Sequence, residues 1–267
     1  MPMMRGRRRP APSPAVRSEY FTPTGAPRVI AHRGFALDAP ENTLLAFERA
    51  LALGVTHLET DVRATRDGTP VLWHDETVER VGGLAARIAD LTLDELRGID
   101  LGAEQRVATL REALTAFPDA RFNIDVKSLD AADASVAVVA AAGAADRVLL
   151  TSFSERRRAR AVRALPGVAT SASAPRLAVA ILACRAGVTA VARIVLRGID
   201  AVQMPERVLG VTTTTPAMVR RLHSAVREVH VWTIDDPAAM RRLVAAGVDG
   251  IVTDRPDLGS ETLHHRG

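Results

Sequence analysis

Residues 28–75 read RVIAHRGFALDAPENTLLAFERALALGVTHLETDVRATRDGTPVLWHD. An apolar run ends in His32, a helix-like segment follows, a second run carries Glu59 and Asp61, and a third ends in His74. Histidines and carboxylates therefore occur at the ends of predicted strands, where rigid backbone can hold catalytic groups within reach of a ligand. We expect this stretch to contain most of the functional site.

The rest of the chain repeats this alternation of strand-like runs and helical patterns. Apolar residues recur with helical spacing, for example at Leu44, Phe47 and Leu51, and Asn42 is the expected N-cap of that helix. Eight short apolar runs alternate with such segments, which predicts eight βα units and a closed (β/α)8 TIM barrel. The predicted barrel strands are 29–32, 57–62, 122–126, 148–152, 168–171, 201–204, 229–234 and 250–253.

A ninth apolar run, residues 70–74, requires a different interpretation. It follows Asp67-Gly68, a dipeptide that strongly indicates a β-hairpin turn. Such a turn lays the run antiparallel to the end of the second strand. The hairpin would thus bring His74 back to the neighbourhood of Asp61.

The segment after the hairpin is too long for an ordinary connection in such a barrel. We interpret residues of about 76–108 as a small insertion over the catalytic face. Two capping-box patterns, Thr92 with Glu95 and Thr109 with Glu112, predict that short helices begin there. The second of these is the expected start of the barrel's own second helix.

Positive charge is concentrated at the N-terminus. The 267-residue chain has a net charge of +4, but residues 1–18 hold five arginines and no acid, so the remainder carries about −1. A nearly neutral folded part gives no reason to expect nucleic acid as a partner. We predict a disordered basic tail at 1–25, rich in Pro and Arg, before a single domain at 26–260. We interpret the tail as a solvated leader, with electrostatic attachment to anionic lipid or nucleic acid as the alternative.

Cysteine content and hydropathy bear on location. Cys184 is the only cysteine, so no disulfide can form within the chain, and we expect it to be a small buried residue in a cytoplasmic protein. Prolines interrupt the residues after the first arginines, so the pattern of a signal peptide is not met. The longest apolar stretch, 177–196, contains Arg185 and Arg193. It predicts one or two buried or amphipathic helices instead of a membrane span.

Three carboxylates are predicted to meet at one mouth of the barrel. Glu59 and Asp61 are two residues apart on a strand, so their side chains point to the same face. Asp125 occupies the same strand-end position on the next barrel strand. Carboxylates this close repel each other unless one is protonated or a cation lies between them, and an all-oxygen set favours Mg²⁺ or Ca²⁺ over zinc. The alternative is that each acid pairs with a nearby arginine.

Basic side chains accompany these acids. Arg33 follows His32 and has a guanidinium group that matches phosphate oxygens, and Lys127 lies two residues from Asp125 on the same face. The formal charges of three carboxylates, a divalent ion, these two cations and a phosphodiester sum to zero. With His74 at the same mouth, the set predicts general acid–base cleavage of a phosphodiester by two imidazoles assisted by a metal. The sequence does not assign which histidine is the acid.

These motifs, in their order and spacing, resemble those of the glycerophosphodiester phosphodiesterase family over about residues 28–258. The family often has Glu where this chain has Asp125, a departure that could change the position or preference of the metal. It usually has Val-Asn where this chain has Ile234-Asp235, from which we expect little consequence. The matching segments are 32–34, 40–43, 59–62, 67–68, 71–75, 123–127, 152–153, 231–234 and 247–256.

The resemblance implies a TIM barrel that hydrolyses glycerophosphodiesters to glycerol 3-phosphate and an alcohol with the help of a divalent cation, Mg²⁺ or Ca²⁺. It also implies a role for each matched position. His32 and His74 would be the acid–base pair, Glu59, Asp61 and Asp125 the metal ligands, and Arg33 and Lys127 the phosphate contacts, while Trp232 would line the substrate pocket. Gln203 is a weaker candidate of the same kind, and the alternative for Trp232 is a core aromatic.

Two other functions stay open at this point. A phospholipase D-like enzyme acting on lysophospholipids would share the chemistry, and residues 177–196 could line a groove for its acyl chain, although we favour an ordinary outer-ring helix there. A non-catalytic binding module or adaptor with a basic tail is the second alternative. The presence of every expected catalytic residue weighs against it. The expected partner is thus a small-molecule glycerophosphodiester, with peripheral contact to lipid as a further possibility.

Overall fold

The eight predicted runs form eight parallel strands. In a computed structural model, which describes residues 18–22, 27–208 and 210–264, each barrel strand lies within two residues of its predicted position. Extended runs of β-branched and other apolar residues are typical of strands that are covered on both faces. All strands, in chain order, are β1 (Arg28–His32), β2 (His57–Ala64), β3 (Pro70–Leu72), β4 (Arg121–Val126), β5 (Val148–Thr151), β6 (Ala169–Thr170), β7 (Ala201–Pro205), β8 (Arg207–Val208), β9 (Val211–Thr212), β10 (Glu228–Trp232) and β11 (Gly250–Thr253).

The parallel strands form a barrel in the order β6-β5-β4-β2-β1-β11-β10-β7. The first and last of these strands meet through two backbone hydrogen bonds, from Asp200 N to Thr170 O (2.9 Å) and from Ala172 N to Ala201 O (3.0 Å). The predicted (β/α)8 architecture is therefore confirmed.

Outside the insertion, helices surround the barrel and pack against the strands. Most begin at a Ser, Thr or Asp whose side chain accepts a hydrogen bond from the first turn, as expected for N-caps. The helices are α1 (Leu44–Ala52), α2 (Glu79–Gly82), α3 (Leu93–Arg97), α4 (Leu110–Ala116), α5 (Leu129–Ala141), α6 (Glu155–Ala164), α7 (Ala174–Arg185), α8 (Thr189–Val195), α9 (Pro216–His223), α10 (Pro237–Ala245) and α11 (Pro256–His264).

The predicted hairpin is present. The turn includes Gly68, whose φ of +78° is accessible to glycine at little cost, and β3 pairs antiparallel with the end of β2. The ladder continues to Trp73, whose backbone N donates to the carbonyl oxygen of Asp61 at 2.9 Å. His74 therefore returns to the strand that carries the carboxylates, as predicted.

The segment predicted as an insertion consists of α2, a 3-10 turn at Ile88–Asp90 and α3. Both predicted capping boxes are formed, at the starts of α3 and α4. A small apolar cluster, separate from the barrel core, holds the segment together, and Arg80 of α2 donates to Glu41 at 2.6 Å. The insertion thus reaches the rim at the C-terminal ends of the strands. The cluster consists of Val71, Trp73, Val78, Ile88, Leu96 and Val107.

The N-terminal prediction needs a correction. Residues 18–22, which we assigned to the disordered tail, are ordered and include a 3-10 turn at Glu19–Phe21. Tyr20 and Phe21 are buried among barrel residues of β5, β6 and β7, and the Tyr20 carbonyl oxygen lies 2.8 Å from Nε2 of His57 at the start of β2. Two aromatic side chains thus cover the N-terminal end of the barrel, and this burial outweighs the polar composition around them. The rest of the predicted tail, residues 1–17 and 23–25, lies outside the described residues.

The stretch 177–196 lies in the two helices α7 and α8, in agreement with the prediction of one or two helices. Cys184 is buried, as expected. Within the described ranges, no helix combines the length and apolar character needed to cross a bilayer.

Candidate active site

All nine side chains that the sequence analysis selected line a single cavity of about 650 Å³ at the C-terminal ends of the strands. This is the end at which TIM-barrel enzymes carry their active sites. The structure brings the residues together, while their individual roles remain predictions. They are His32, Arg33, Glu59, Asp61, His74, Asp125, Lys127, Gln203 and Trp232.

His32 ends β1 and is held by a residue that follows the neighbouring strand β11. Its Nδ1 lies 2.7 Å from Oδ1 of Asp254, which follows β11, and its Nε2 lies 4.0 Å from Oε2 of Glu59. Burial disfavours the imidazolium, but the hydrogen bond to Asp254 and the charge of Glu59 outweigh it and raise the pKa of His32. A carboxylate on Nδ1 leaves Nε2 as the nitrogen available for proton transfer in the cavity.

His74 has a similar arrangement. Its Nδ1 lies 2.7 Å from Oδ1 of the adjacent Asp75, and the other oxygen of that carboxylate accepts from Arg80. Each of these two histidines therefore has a carboxylate on Nδ1, which leaves Nε2 of each ring free to exchange a proton with a ligand in the cavity.

Lys127 joins two of the three predicted metal ligands. Its Nζ lies 2.7 Å from Oδ1 of Asp61 and 2.6 Å from Oδ2 of Asp125, whose strands are in parallel register at this level. Burial opposes ionisation, yet the charges of Lys127 and Arg33 lower the pKa of Asp61. Burial raises the pKa of Asp125, and Lys127 offsets this only in part. The ammonium group therefore neutralises part of the negative charge, a role that the sequence analysis assigned to a metal ion.

Arg33 is already bound to carboxylates of the site, so its guanidinium group is only partly free to contact a phosphate. Its backbone N donates to Oε2 of Glu59 at 3.1 Å, and its guanidinium lies 3.1 Å from Glu41 and 3.0 Å from Asp61. The next residue, Gly34, has φ +87°, and a Cβ there would lie 2.7 Å from the backbone of Ala46 in α1. Glycine is thus required for α1 to pack close to the loop that positions Arg33.

Asn42 does not cap α1, contrary to our expectation. Thr43 is the N-cap and accepts from Ala46 N at 3.2 Å. Asn42, at φ +57°, a region that Asn tolerates better than most residues, instead donates from Nδ2 to Asp61 at 3.3 Å and accepts from Thr60 at 2.7 Å. It helps to fix the orientation of the Asp61 carboxylate.

The three carboxylates offer the type of donor atom that a hard divalent cation prefers. Glu59, Asp61 and Asp125 offer only oxygen, and Oδ1 of Asp125 is buried without a hydrogen-bond partner among the described residues. Burial and the charge of Asp61 raise the pKa of Glu59, so the basic groups nearby do not fully compensate these acids. Over the same residues, however, no three His, Cys, Asp or Glu side chains converge closely enough to form a metal site by themselves. The cation stays a prediction.

One wall of the cavity is apolar. Trp232, at the end of β10, packs edge-on against Phe153 with ring centroids 5.9 Å apart, and the α7 residues Leu177, Ile181 and Leu182 continue the wall. Trp232 is therefore a lining residue and not a core aromatic. Helix α7 is more than an ordinary outer-ring helix, since it also borders the cavity.

Gln203, on β7, lies at the side of the cavity opposite β2. Its amide contacts His230 at 3.3 Å and Ser171 at 3.4 Å, both of which belong to the barrel interior. It lines the cavity but is already engaged with the barrel.

The sequence analysis did not select the residues that orient the predicted site residues. Asp254 was included only within a matched segment, although an acid directly after a barrel strand was a usable signal. Asp235, from which we expected little, accepts from Thr253 Oγ1 (2.8 Å) and from Asp254 N (2.9 Å) and so fixes the loop that holds His32. The apolar run 177–196 gave a groove only as the less favoured alternative, because the contribution of α7 depends on how the helix lies across the cavity.

The barrel and the cluster of titratable side chains at its C-terminal mouth place this protein among the TIM-barrel enzymes. The sequence profile described as "Glycerophosphoryl diester phosphodiesterase family" matches residues 32–258. The chain belongs to this family of hydrolases, and the resemblance noted in the sequence is confirmed.

Individual relatives agree with this assignment. The chain is 45% identical over 249 residues to the "Probable glycerophosphodiester phosphodiesterase 2" of Mycobacterium tuberculosis, covering 92% of this chain and 94% of that protein. It is 31% identical over 243 residues to a glycerophosphodiester phosphodiesterase of Caldanaerobacter subterraneus, covering 86% and 94%. The crystal structure of a glycerophosphodiester phosphodiesterase from Agrobacterium tumefaciens superimposes with a TM-score of 0.71 at 26% identity, covering 88% of this chain and 99% of that one.

Proposed function

We propose that this protein hydrolyses glycerophosphodiesters to glycerol 3-phosphate and an alcohol, with His32 and His74 as the general acid–base pair and Mg²⁺ or Ca²⁺ as cofactor. One observation carries the proposal: two histidines line one cavity, and each has Nδ1 bonded to a carboxylate at 2.7 Å. Family membership supports the substrate class.

The reaction balances with these two imidazoles. One accepts a proton from water as its oxygen forms a bond to phosphorus, and the other donates a proton to the alkoxide as the bond between phosphorus and the alcohol oxygen breaks. Asp254 and Asp75 keep each ring in the tautomer that presents Nε2, which makes them positioning residues.

Charge in the cavity suits an anionic substrate only if more positive charge is supplied. Lys127 and Arg33 already pair with Asp61, Asp125 and Glu41, so little of their charge is left for a phosphodiester. Glu59, Asp61 and Asp125 would hold the divalent cation, which when bound would polarise a phosphoryl oxygen and stabilise the charge of the transition state.

Metal removal tests the cofactor. Protein treated with EDTA should lose turnover of glycerophosphocholine, measured as glycerol 3-phosphate released, and Mg²⁺ or Ca²⁺ should restore it. Asp125→Asn should raise the cation concentration needed for half-maximal rate by about tenfold or more, because it removes one anionic ligand. Unchanged turnover in protein shown by elemental analysis to be free of metal would contradict the cofactor.

A second candidate substrate class is lysophospholipids, and the apolar wall formed by Phe153, Trp232 and α7 favours it. An acyl chain on the glycerol would have apolar surface to cover there, which glycerophosphocholine does not need. Ile181→Gln should slow hydrolysis of lysophosphatidylcholine several-fold and leave hydrolysis of glycerophosphocholine nearly unchanged. Equal effects on both substrates would remove this candidate.

A further inference from the structure

Exposed large apolar side chains are concentrated on one side of the molecule. Among the described residues ten such side chains are exposed, and eight of them belong to α7, α8, the turn between these two helices, the β8–β9 ribbon and the loop after β5. We name the outward surface of α7 and α8 the α7–α8 face. The eight are Phe153, Val179, Leu182, Val188, Val191, Ile194, Val208 and Val211.

This surface differs from that of the other outer helices. The exposed positions of α6 include Arg156, Arg160 and Arg163, as expected for helices whose outer side meets water. On α7 the exposed positions before its last residue are alanine, proline, valine and leucine. The apolar α7–α8 face is therefore not a general feature of the helices that surround the barrel.

The charge on this segment has one sign. Residues 174–199 contain four arginines and no acid. Of these, Arg185, Arg193 and Arg197 are exposed and form no ion pair with any residue that the structure describes. An apolar surface bordered by uncompensated arginines is complementary to an anionic lipid surface.

The face is continuous with the rim of the cavity. Leu182 is 67% exposed and also lines the cavity, and Phe153 and Val208, 56% and 42% exposed, do the same on neighbouring loops. A bilayer against this face would therefore lie next to the apolar wall of the site.

We propose that the α7–α8 face docks on the surface of an anionic lipid bilayer. A second copy of the chain fits less well, because a two-fold interface would place Arg185, Arg193 and Arg197 near their own symmetry mates. The proposal concerns binding without substrate and does not rest on the proposed function.

Co-sedimentation of the full chain with phosphatidylcholine vesicles containing about one third phosphatidylglycerol tests it. Val179→Gln with Ile194→Gln should lower the partition coefficient about tenfold or more, since two apolar side chains no longer enter the interface. Leu37→Gln with Leu84→Gln is the matched control, because these residues are 67% and 46% exposed against 73% and 44% for Ile194 and Val179. The control should bind like the parent within about a factor of two.

Charge is tested in the same assay. Arg185→Gln with Arg197→Gln should weaken binding to the anionic vesicles several-fold, while Arg111→Gln with Arg241→Gln, also exposed arginines, should have a clearly smaller effect. None of these residues lines the cavity, so turnover of glycerophosphocholine without vesicles should be unchanged in all variants. That readout separates this proposal from the proposed function.

Three outcomes would overturn the proposal. They are absence of binding by the parent protein, equal losses in the face variants and their controls, and a dimer in analytical ultracentrifugation that the Val179 and Ile194 substitutions dissociate.

Discussion

At the scale of single residues, the proposed chemistry depends on which ring nitrogen of each histidine is hydrogen-bonded to a carboxylate. Asp254 and Asp75 take the Nδ1 positions of His32 and His74, so both rings present Nε2. The same pairing therefore occurs twice, at the end of β1 and shortly after β3.

His32→Ala and His74→Ala should each lower kcat for glycerophosphocholine by about 10²–10⁴, because each removes one proton-transfer group. The thermal unfolding midpoint should change little, since both side chains border the cavity. Retention of parental kcat in either variant would eliminate the acid–base pair.

Asp254→Asn should move the pH profile. In the folded protein burial lowers the pKa of His32, and Asp254 and Glu59 raise it above the ordinary value. Removing the Asp254 charge therefore lowers that pKa, so the limb of the kcat/KM profile due to His32 should shift to lower pH. An unshifted limb accompanied only by a lower maximum would mean that Asp254 acts by packing alone.

At the scale of secondary-structure elements, local signals were reliable where they are self-contained. Capping boxes, the Asp67-Gly68 turn and apolar runs of strand length involve residues close in sequence, and the structure contains all of them. The N-cap of α1 was misassigned because Asn42 and Thr43 are both good caps, and only the contact of Asn42 with Asp61 decides between them.

Thr109→Ala should lower the free energy of unfolding by about 1 kcal/mol, because it removes the hydroxyl that accepts from Glu112 N at the start of α4. Thr109→Ser keeps the hydroxyl and serves as the control. Chemical denaturation measures the difference, and activity per folded molecule should be the same in both. Equal stability of the Ala and Ser variants would show that the cap contributes nothing.

At the scale of the whole molecule, segments outside the barrel strands lie at both ends of the barrel. The C-terminal mouth carries the cavity and the insertion, and Tyr20 and Phe21 cover the N-terminal end against Leu149, Ala169 and Ala201. Residues before β1 therefore contribute to barrel stability.

Phe21→Ala should destabilise the protein by about 3 kcal/mol, as expected for deleting a buried phenylalanine side chain. Tyr20→Phe is the control, because it keeps the ring and removes a buried hydroxyl that has no hydrogen-bond partner among the described residues. Its stability should equal or exceed that of the parent. A Phe21→Ala variant as stable as the parent would mean that the turn merely rests on the barrel.

The sequence by itself determined the barrel, the hairpin and seven of the nine selected residues that line the cavity, because strand period, turn chemistry and strand-end position are local properties of the chain. The family resemblance added Trp232 and Gln203. Only the tertiary structure showed that Lys127 lies between Asp61 and Asp125, that Asp254 holds His32, and that α7 borders the cavity with an apolar face. Those contacts join residues far apart in sequence, and their distances depend on how the closed barrel brings separate strands and loops together.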